Sequence, residues 1–201
     1  MIGTSSQPDN EPASWRCFIA VEISDEVREN AARLQSKLRR TDADVSFPDP
    51  ANMHLTVVFL GDTLTGKIEP LKVAIDAAAA TVAPFDMNYS GLGFFGAPHH
   101  PRVIWAGVGE PCPGIHALFE SLLEKITELE FTLENRAFRP HLTLGRIRSA
   151  RGLAGLTAMA ESLKDSALGC SHVERVVLMR SHLDRPKASY EILHEAKLTG
   201  A

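Results

Sequence analysis

Asn52-Met53-His54-Leu55-Thr56-Val57-Val58-Phe59-Leu60 and Phe138-Arg139-Pro140-His141-Leu142-Thr143-Leu144-Gly145-Arg146 decide how this chain is read, because both contain the triplet His-Leu-Thr. Apolar and β-branched residues dominate around each triplet, so each is predicted to lie on a strand. Side chains alternate along a strand, which sets His54 and Thr56 on one face and Leu55, Val57 and Phe59 on the other; His141 and Thr143 share a face in the same way. With 8 His, 11 Thr and 22 Leu in 201 residues, a shuffled chain would hold roughly 0.05 such triplets, so two are a chance event on the order of one in a thousand.

Outward from the triplets, Val27, Ala31, Leu34 and Leu38 follow the start signal Ser24-Asp25 at helical spacing. A second helix is expected over 65–82. A third carries Ile115, Leu118, Phe119, Leu122, Leu123, Ile126 and Leu129 after Pro113, and a weaker fourth covers 152–164. Strands are expected over 16–23, 53–60, 85–92, 102–108, 131–134, 142–147, 173–183 and 190–194. This interleaving predicts an α+β protein with mostly antiparallel sheets, in two similar halves, each a small sheet covered by two helices.

The chain is 44% hydrophobic and 23% charged, which excludes a largely disordered protein. A single two-lobed domain is expected over 15–201, behind a disordered tail over 1–14. That tail carries acidic residues, two prolines and no apolar run, so neither a secretory leader nor a membrane anchor is expected. Cys17, Cys112 and Cys170 are odd in number and form no C-x-x-C pair, which argues against a disulfide framework or a zinc site and for a cytoplasmic location. A net charge of −4 argues against tight, non-specific binding of long duplexes. Around the second triplet, however, Arg136, Arg139, Arg146, Arg148 and Arg151 stand against Glu134 alone. No cofactor and no obligate protein partner are expected, and the chain is expected to act as a monomer.

Residues two apart on a strand are about 6.6 Å apart, close enough for an imidazole and a hydroxyl to hold one tetrahedral anion together. Two such pairs suit the opening of a 2′,3′-cyclic phosphate. That reaction needs a base for the attacking water and an acid for the departing sugar oxygen, and two imidazoles with ordinary values near 6.5 can be one neutral and one cationic near pH 7. Thr56 and Thr143 would hold the non-bridging oxygens, and the Arg146 guanidinium would add a bidentate phosphate contact. The arginine block favours a substrate with more than one phosphate.

Both triplets with their flanks, together with Arg16-Cys17-Phe18-Ile19-Ala20, Gly91-Leu92-Gly93-Phe94-Phe95, Pro101-Arg102-Val103-Ile104-Trp105-Ala106-Gly107-Val108, Val177-Leu178-Met179-Arg180-Ser181 and Tyr190-Glu191-Ile192-Leu193, resemble the RNA 2′,3′-cyclic phosphodiesterases. These are also called 2′-5′ RNA ligases, within the 2H phosphoesterase superfamily. The resemblance implies a bilobal, pseudo-twofold symmetric fold with a central cleft, and metal-independent hydrolysis of RNA 2′,3′-cyclic ends to 2′-phosphates, with reverse 2′-5′ ligation along the same path. It implies His54 as proton donor and His141 as proton acceptor, an order the residues alone do not give. Asp62 and Gly145 depart mildly from the family pattern. Another 2H activity, on a small cyclic-phosphate nucleotide or a 2′-5′ oligonucleotide, stays open, as does a non-catalytic RNA-end-binding module.

Other residues carry weaker signals. His99-His100 has no carboxylate or cysteine at metal-ligand spacing and is expected on a loop rim; His116, His172, His182 and His194 are expected in surface or structural roles. Phe94, Phe95 and Trp105 could stack a base, although Trp105 is expected to pack the core. Arg180 and Tyr190 are secondary site candidates.

Overall fold

The structure, a computed structural model, describes residues 13–131, 133, 137–182 and 188–201. Most of the expected tail, parts of the strand expected over 131–134, Arg136 and the last residue of the strand expected over 173–183 lie outside the described residues. Phe131 and Leu133 are in no strand. Two antiparallel sheets carry the fold. In the first, β3 (His54–Leu64), β1 (Ser14–Glu22), β8 (Arg175–His182) and β9 (Ser189–Lys197) lie in that order. The second runs β2 (Val45–Ser46), β6 (His141–Ile147), β5 (His100–Val108), β4 (Phe85–Ala97) and β7 (Ala167–Val173). Ser14 pairs with Leu64, and the Ala13 carbonyl accepts from Thr65, so these two residues are already tied to the sheet.

Four helices cover the sheets. In α1 (Asp25–Leu38), the Ser24 hydroxyl accepts from the Val27 N–H at 3.2 Å, and Asp25 and Glu26 favour the positive end of the helix dipole. Its stripe Val27, Ala31, Leu34 and Leu38 is buried against β7 and β6. α3 (Pro113–Thr127) starts on a proline and buries Ile115, Leu118, Leu122 and Ile126 completely. α2 (Ile68–Ala79) packs on α3 and on β9 and β8, while α4 (Leu153–Ser162) packs on α1 and β4.

Each sheet thus has its two helices, as expected, but the lobes are not consecutive halves of the chain. α1 crosses to the second sheet, α3 returns to the first, β4 and β5 build the second sheet, and β8 and β9 complete the first. Sequence pattern specifies which face of an element is apolar, not which of two apolar sheets it covers. The expected strand over 173–183 divides into the end of β7 and all of β8, and β7 itself was not anticipated. Its Gly169, Cys170, Ser171 and His172 offer little β-propensity. A single core spans both lobes, and a smaller group of Phe18, Ala20, Val177 and Met179 lies apart from it, with Tyr190 against it.

Candidate active site

β3 and β6 each open on the histidine of a triplet, and they face one another across a cleft of about 580 Å³. His54, Thr56, His141, Thr143 and Arg146 all line it, so the five expected site residues are brought together.

Simple alternation would turn Arg146 away from His141 and Thr143, because it stands an odd number of residues after both. A β-bulge reverses this. Thr143 pairs with Trp105 and Gly145 with Ile104, leaving Leu144 without a partner, and the phase shift returns Arg146 to the cleft face. β3 repeats the device, since Thr56 pairs with Ala20 and Val58 with Ile19, leaving Val57 unpaired. Both bulged residues are buried. The residue matching Arg146 in β3 is Phe59. It was expected on the face of Leu55, but the bulge turns it out of the core, 39% exposed, with the Arg16 guanidinium 4.8 Å from its ring centre.

Buried Gln35 braces the second bulge. Its amide donates to the Leu144 and Pro48 carbonyls, both at 3.0 Å. Sequence reading missed Gln35, although it lies four residues after Ala31 on the buried stripe of α1. Gly145 is also required here, since a Cβ would come within 2.6 Å of Val45 Cγ1. The family departure at this position is therefore a packing feature between β6 and β2.

The two imidazoles are held alike. His54 Nδ1 lies 2.9 Å from the Asn52 carbonyl oxygen and His141 Nδ1 2.8 Å from that of Arg139, each two residues upstream. A carbonyl only accepts, so each Nδ1 carries the proton and each Nε2 is left as the basic nitrogen. The other paired histidines differ. His116, His172, His182 and His194 each meet a carboxylate, of Glu110, Asp86, Glu191 and Asp76, which fits the surface roles expected of them. His99 and His100 do not line the cleft.

Aromatic rings enclose both cleft imidazoles. Phe18 stacks on His54 at 4.7 Å and Tyr190 meets it edge-on at 5.0 Å; Phe95 meets His141 edge-on at 4.7 Å. Trp105 packs on Phe95 and approaches His141, while Ile104 and Ala106 on either side of it are fully buried. The core position expected for Trp105 is thus corrected. Alternation gives the core to its neighbours, and Gly93 leaves room for the indole, since a Cβ there would lie 2.3 Å from it. Arg180 is drawn away from the cleft, over the Trp15 ring and towards Glu191.

Burial sets the acid–base state of the site. It pushes His54 down to about 4, against the opposing bond to Asn52. His141 is also held below its ordinary value, mainly by burial and further by the charge of Arg146, with the Arg139 bond opposing. Both imidazoles are therefore neutral in the free site at pH 7, in place of the one neutral and one cationic ring expected. Among the described residues, no group of three or more His, Cys, Asp or Glu is gathered as a metal site would require. No described helix is long and apolar enough to cross a membrane.

The family model described as LigT like Phosphoesterase matches residues 21–105 and 108–190. An RNA 2′,3′-cyclic phosphodiesterase of Methanothermobacter thermautotrophicus is 33% identical over 168 residues, covering 84% of this chain and 90% of the relative. One from Aeropyrum pernix is 30% identical, covering 83% and 93%. A solved protein of Thermus thermophilus, 28% identical, superposes with a TM-score of 0.76 over 92% of this chain and 98% of that one. E. coli LigT complexed with 3′-AMP, 24% identical, shares the fold with a TM-score of 0.74 over 93% and 99%. The family match covers both lobes and both His-Leu-Thr strands, and with these relatives it shows that the chain belongs to the LigT-like phosphoesterase family.

Proposed function

We propose that this protein hydrolyses RNA 2′,3′-cyclic phosphodiester ends to 2′-phosphomonoesters by two-histidine acid–base catalysis, without a metal ion. The observation that carries this reading is the matched pair of carbonyl-held imidazoles lining one cleft, each beside a threonine two residues along. The names of relatives at 30–34% identity support the substrate class.

In the proposed reaction, water loses a proton to His141 Nε2 and attacks phosphorus opposite the 3′-oxygen. The bond from phosphorus to that oxygen breaks, and the oxygen takes the proton carried on His54 Nε2. Thr56 and Thr143 donate to the non-bridging oxygens, while Arg146 offsets charge on the pentacoordinate phosphorus. Arg146 also supports the order of roles, since a cation beside His141 disfavours protonating it. His54 has the drier surroundings, so a bound phosphodiester anion attracts a proton most strongly there. Ligation of a 5′-hydroxyl is the same path reversed.

A short RNA ending in a 2′,3′-cyclic phosphate, incubated with the protein in the presence of EDTA, tests the reading. A 2′-phosphate product is expected, whereas a 3′-phosphate contradicts the assigned leaving group. Action as a monomer in the cytoplasm belongs to the same proposal, and the three free cysteines fit a reducing compartment.

A further inference from the structure

The cleft does not end at the histidines. Beyond Arg146 it continues over Ser46 and Phe47, and over Arg39 and Arg148. The β2 segment supplies this annex, with Ser46 paired to Arg146 and the Arg148 N–H bonded to the Asp44 carbonyl. Arg148 Nη2 donates to Ser46 Oγ at 3.0 Å, and the Arg39 guanidinium lies 4.3 Å from the centre of the Phe47 ring. Arg148 follows Arg146 by two residues along the extended chain, about 6.6 Å, a step suited to the next phosphate of one polynucleotide strand.

Among the described residues, charge is distributed unevenly between the walls. The β3 counterpart of Arg146 is Phe59, and the flank of His54 is aromatic, so the guanidinium groups of the cleft gather on the β6 side. The described arginine–carboxylate pairs fall elsewhere, on Arg28, Arg33, Arg175 and Arg180. Among the described residues, Asp49 is the carboxylate lining the cleft, and its side chain accepts from the Ala51 N–H. One phosphate held between the two triplets and Arg146 leaves Arg39 and Arg148 without an anion of their own.

We propose that Arg39, Ser46, Phe47 and Arg148 form a second phosphate subsite, taking the phosphate on the 5′-oxygen of the terminal nucleotide. The protein thereby selects oligonucleotide ends over mononucleoside cyclic phosphates. This rests on the hydrolytic reading above. The same phosphate chemistry occurs in an internucleotide linkage and in a free 5′-phosphate, so three product-like ligands separate the sources: adenosine 2′-phosphate, its 5′-phosphorylated form, and a dinucleotide ending in the same 2′-phosphate.

Titration of the wild-type protein with these ligands is the test, with turnover of the corresponding cyclic phosphates measured separately. The dinucleotide is expected to bind on the order of ten-fold tighter than adenosine 2′-phosphate, the size of one charge-assisted contact. Arg39→Gln and Arg148→Gln should each remove most of that advantage while changing adenosine 2′-phosphate binding less than two-fold. A gain restricted to the free 5′-phosphate would overturn the choice of oligonucleotide ends. Equal binding of all three ligands, or equal losses for all three in the variants, would overturn the subsite itself. Loss of turnover with the binding pattern intact would count against the hydrolytic reading alone.

Discussion

Val57 and Leu144 occupy the same place in two strands of the same protein. Each follows a His-Leu-Thr, each lacks a partner on its neighbouring strand, and each is buried. The bulges turn the fifth residue after each histidine out of the core, giving an exposed Phe59 on β3 and an Arg146 that lines the cleft on β6. Deleting Leu144 should leave Arg146 an even number of residues after His141 and Thr143, so a regular strand keeps it on the cleft face and kcat/KM should fall far less than in Arg146→Ala. A folded deletion variant as impaired as Arg146→Ala would show that Arg146 needs the bulge itself and not only its face of the strand.

Removing either imidazole should lower kcat by at least ~10²-fold, the usual contribution of one general acid or base. His54→Ala and His141→Ala, checked for folding by circular dichroism and assayed on a cyclic-phosphate RNA, should both show it. Normal turnover in either variant would remove that histidine from the mechanism.

The depressed imidazoles place the activity optimum. The proposed turnover needs one ring protonated and one neutral, and both titrate below 6.5 in the free site. The bell of kcat/KM should therefore peak on the acid side of pH 6.5 and fall as pH rises towards 8. Tyr190→Ala, which admits water beside His54, should move the His54 titration up from about 4, as read by NMR of the ring protons.

The same burial has a cost in stability. His54 titrates near 6.5 when unfolded and at about 4 when folded, so the unfolded chain binds more protons between those values. Stability is unaffected by this group above pH 6.5 and is lost as pH falls through the window, by roughly 3 kcal/mol at its fullest. Urea midpoints at pH 7.5 and 4.5 should drop for the wild type and drop less for His54→Gln. Equal drops would contradict a buried neutral imidazole.

Gln35→Leu should destabilise the fold by ~1–3 kcal/mol per abandoned carbonyl, because the Leu144 and Pro48 oxygens lose their donor in a dry setting. Gly145→Ala should cost ~1–3 kcal/mol by pressing on Val45. Thermal melts with a cyclic-phosphate assay on both variants would check these values. An activity loss in Gln35→Leu with no change in melting would point to a role other than bracing.

The site was legible where chemistry is local. His54 and Thr56, and His141 and Thr143, are fixed by strand period alone, and the helix stripes by their spacing. Phe59, Trp105 and the buried Gln35 were misread or missed for one reason: bulges and cross-lobe contacts depend on a neighbouring strand or helix that the local pattern does not identify. Arg146 reaches the cleft through a bulge that alternation did not anticipate. Tyr190 was a secondary candidate and Phe47 carried no signal of its own; packing brings both into the cleft.

The crossed lobes also bear on how the protein is made. As the chain leaves the ribosome, β1 and β3 must wait for β8 and β9 before their sheet is whole, and α1 must wait for β6 and β7 before its apolar stripe is covered. The second sheet, with α1 and α4, is complete at Val173, so it can mature before β8 and β9 close the first. A nascent chain halted short of β9 should lack the Tyr190 wall around His54, so catalytic competence should appear only once β9 has been made.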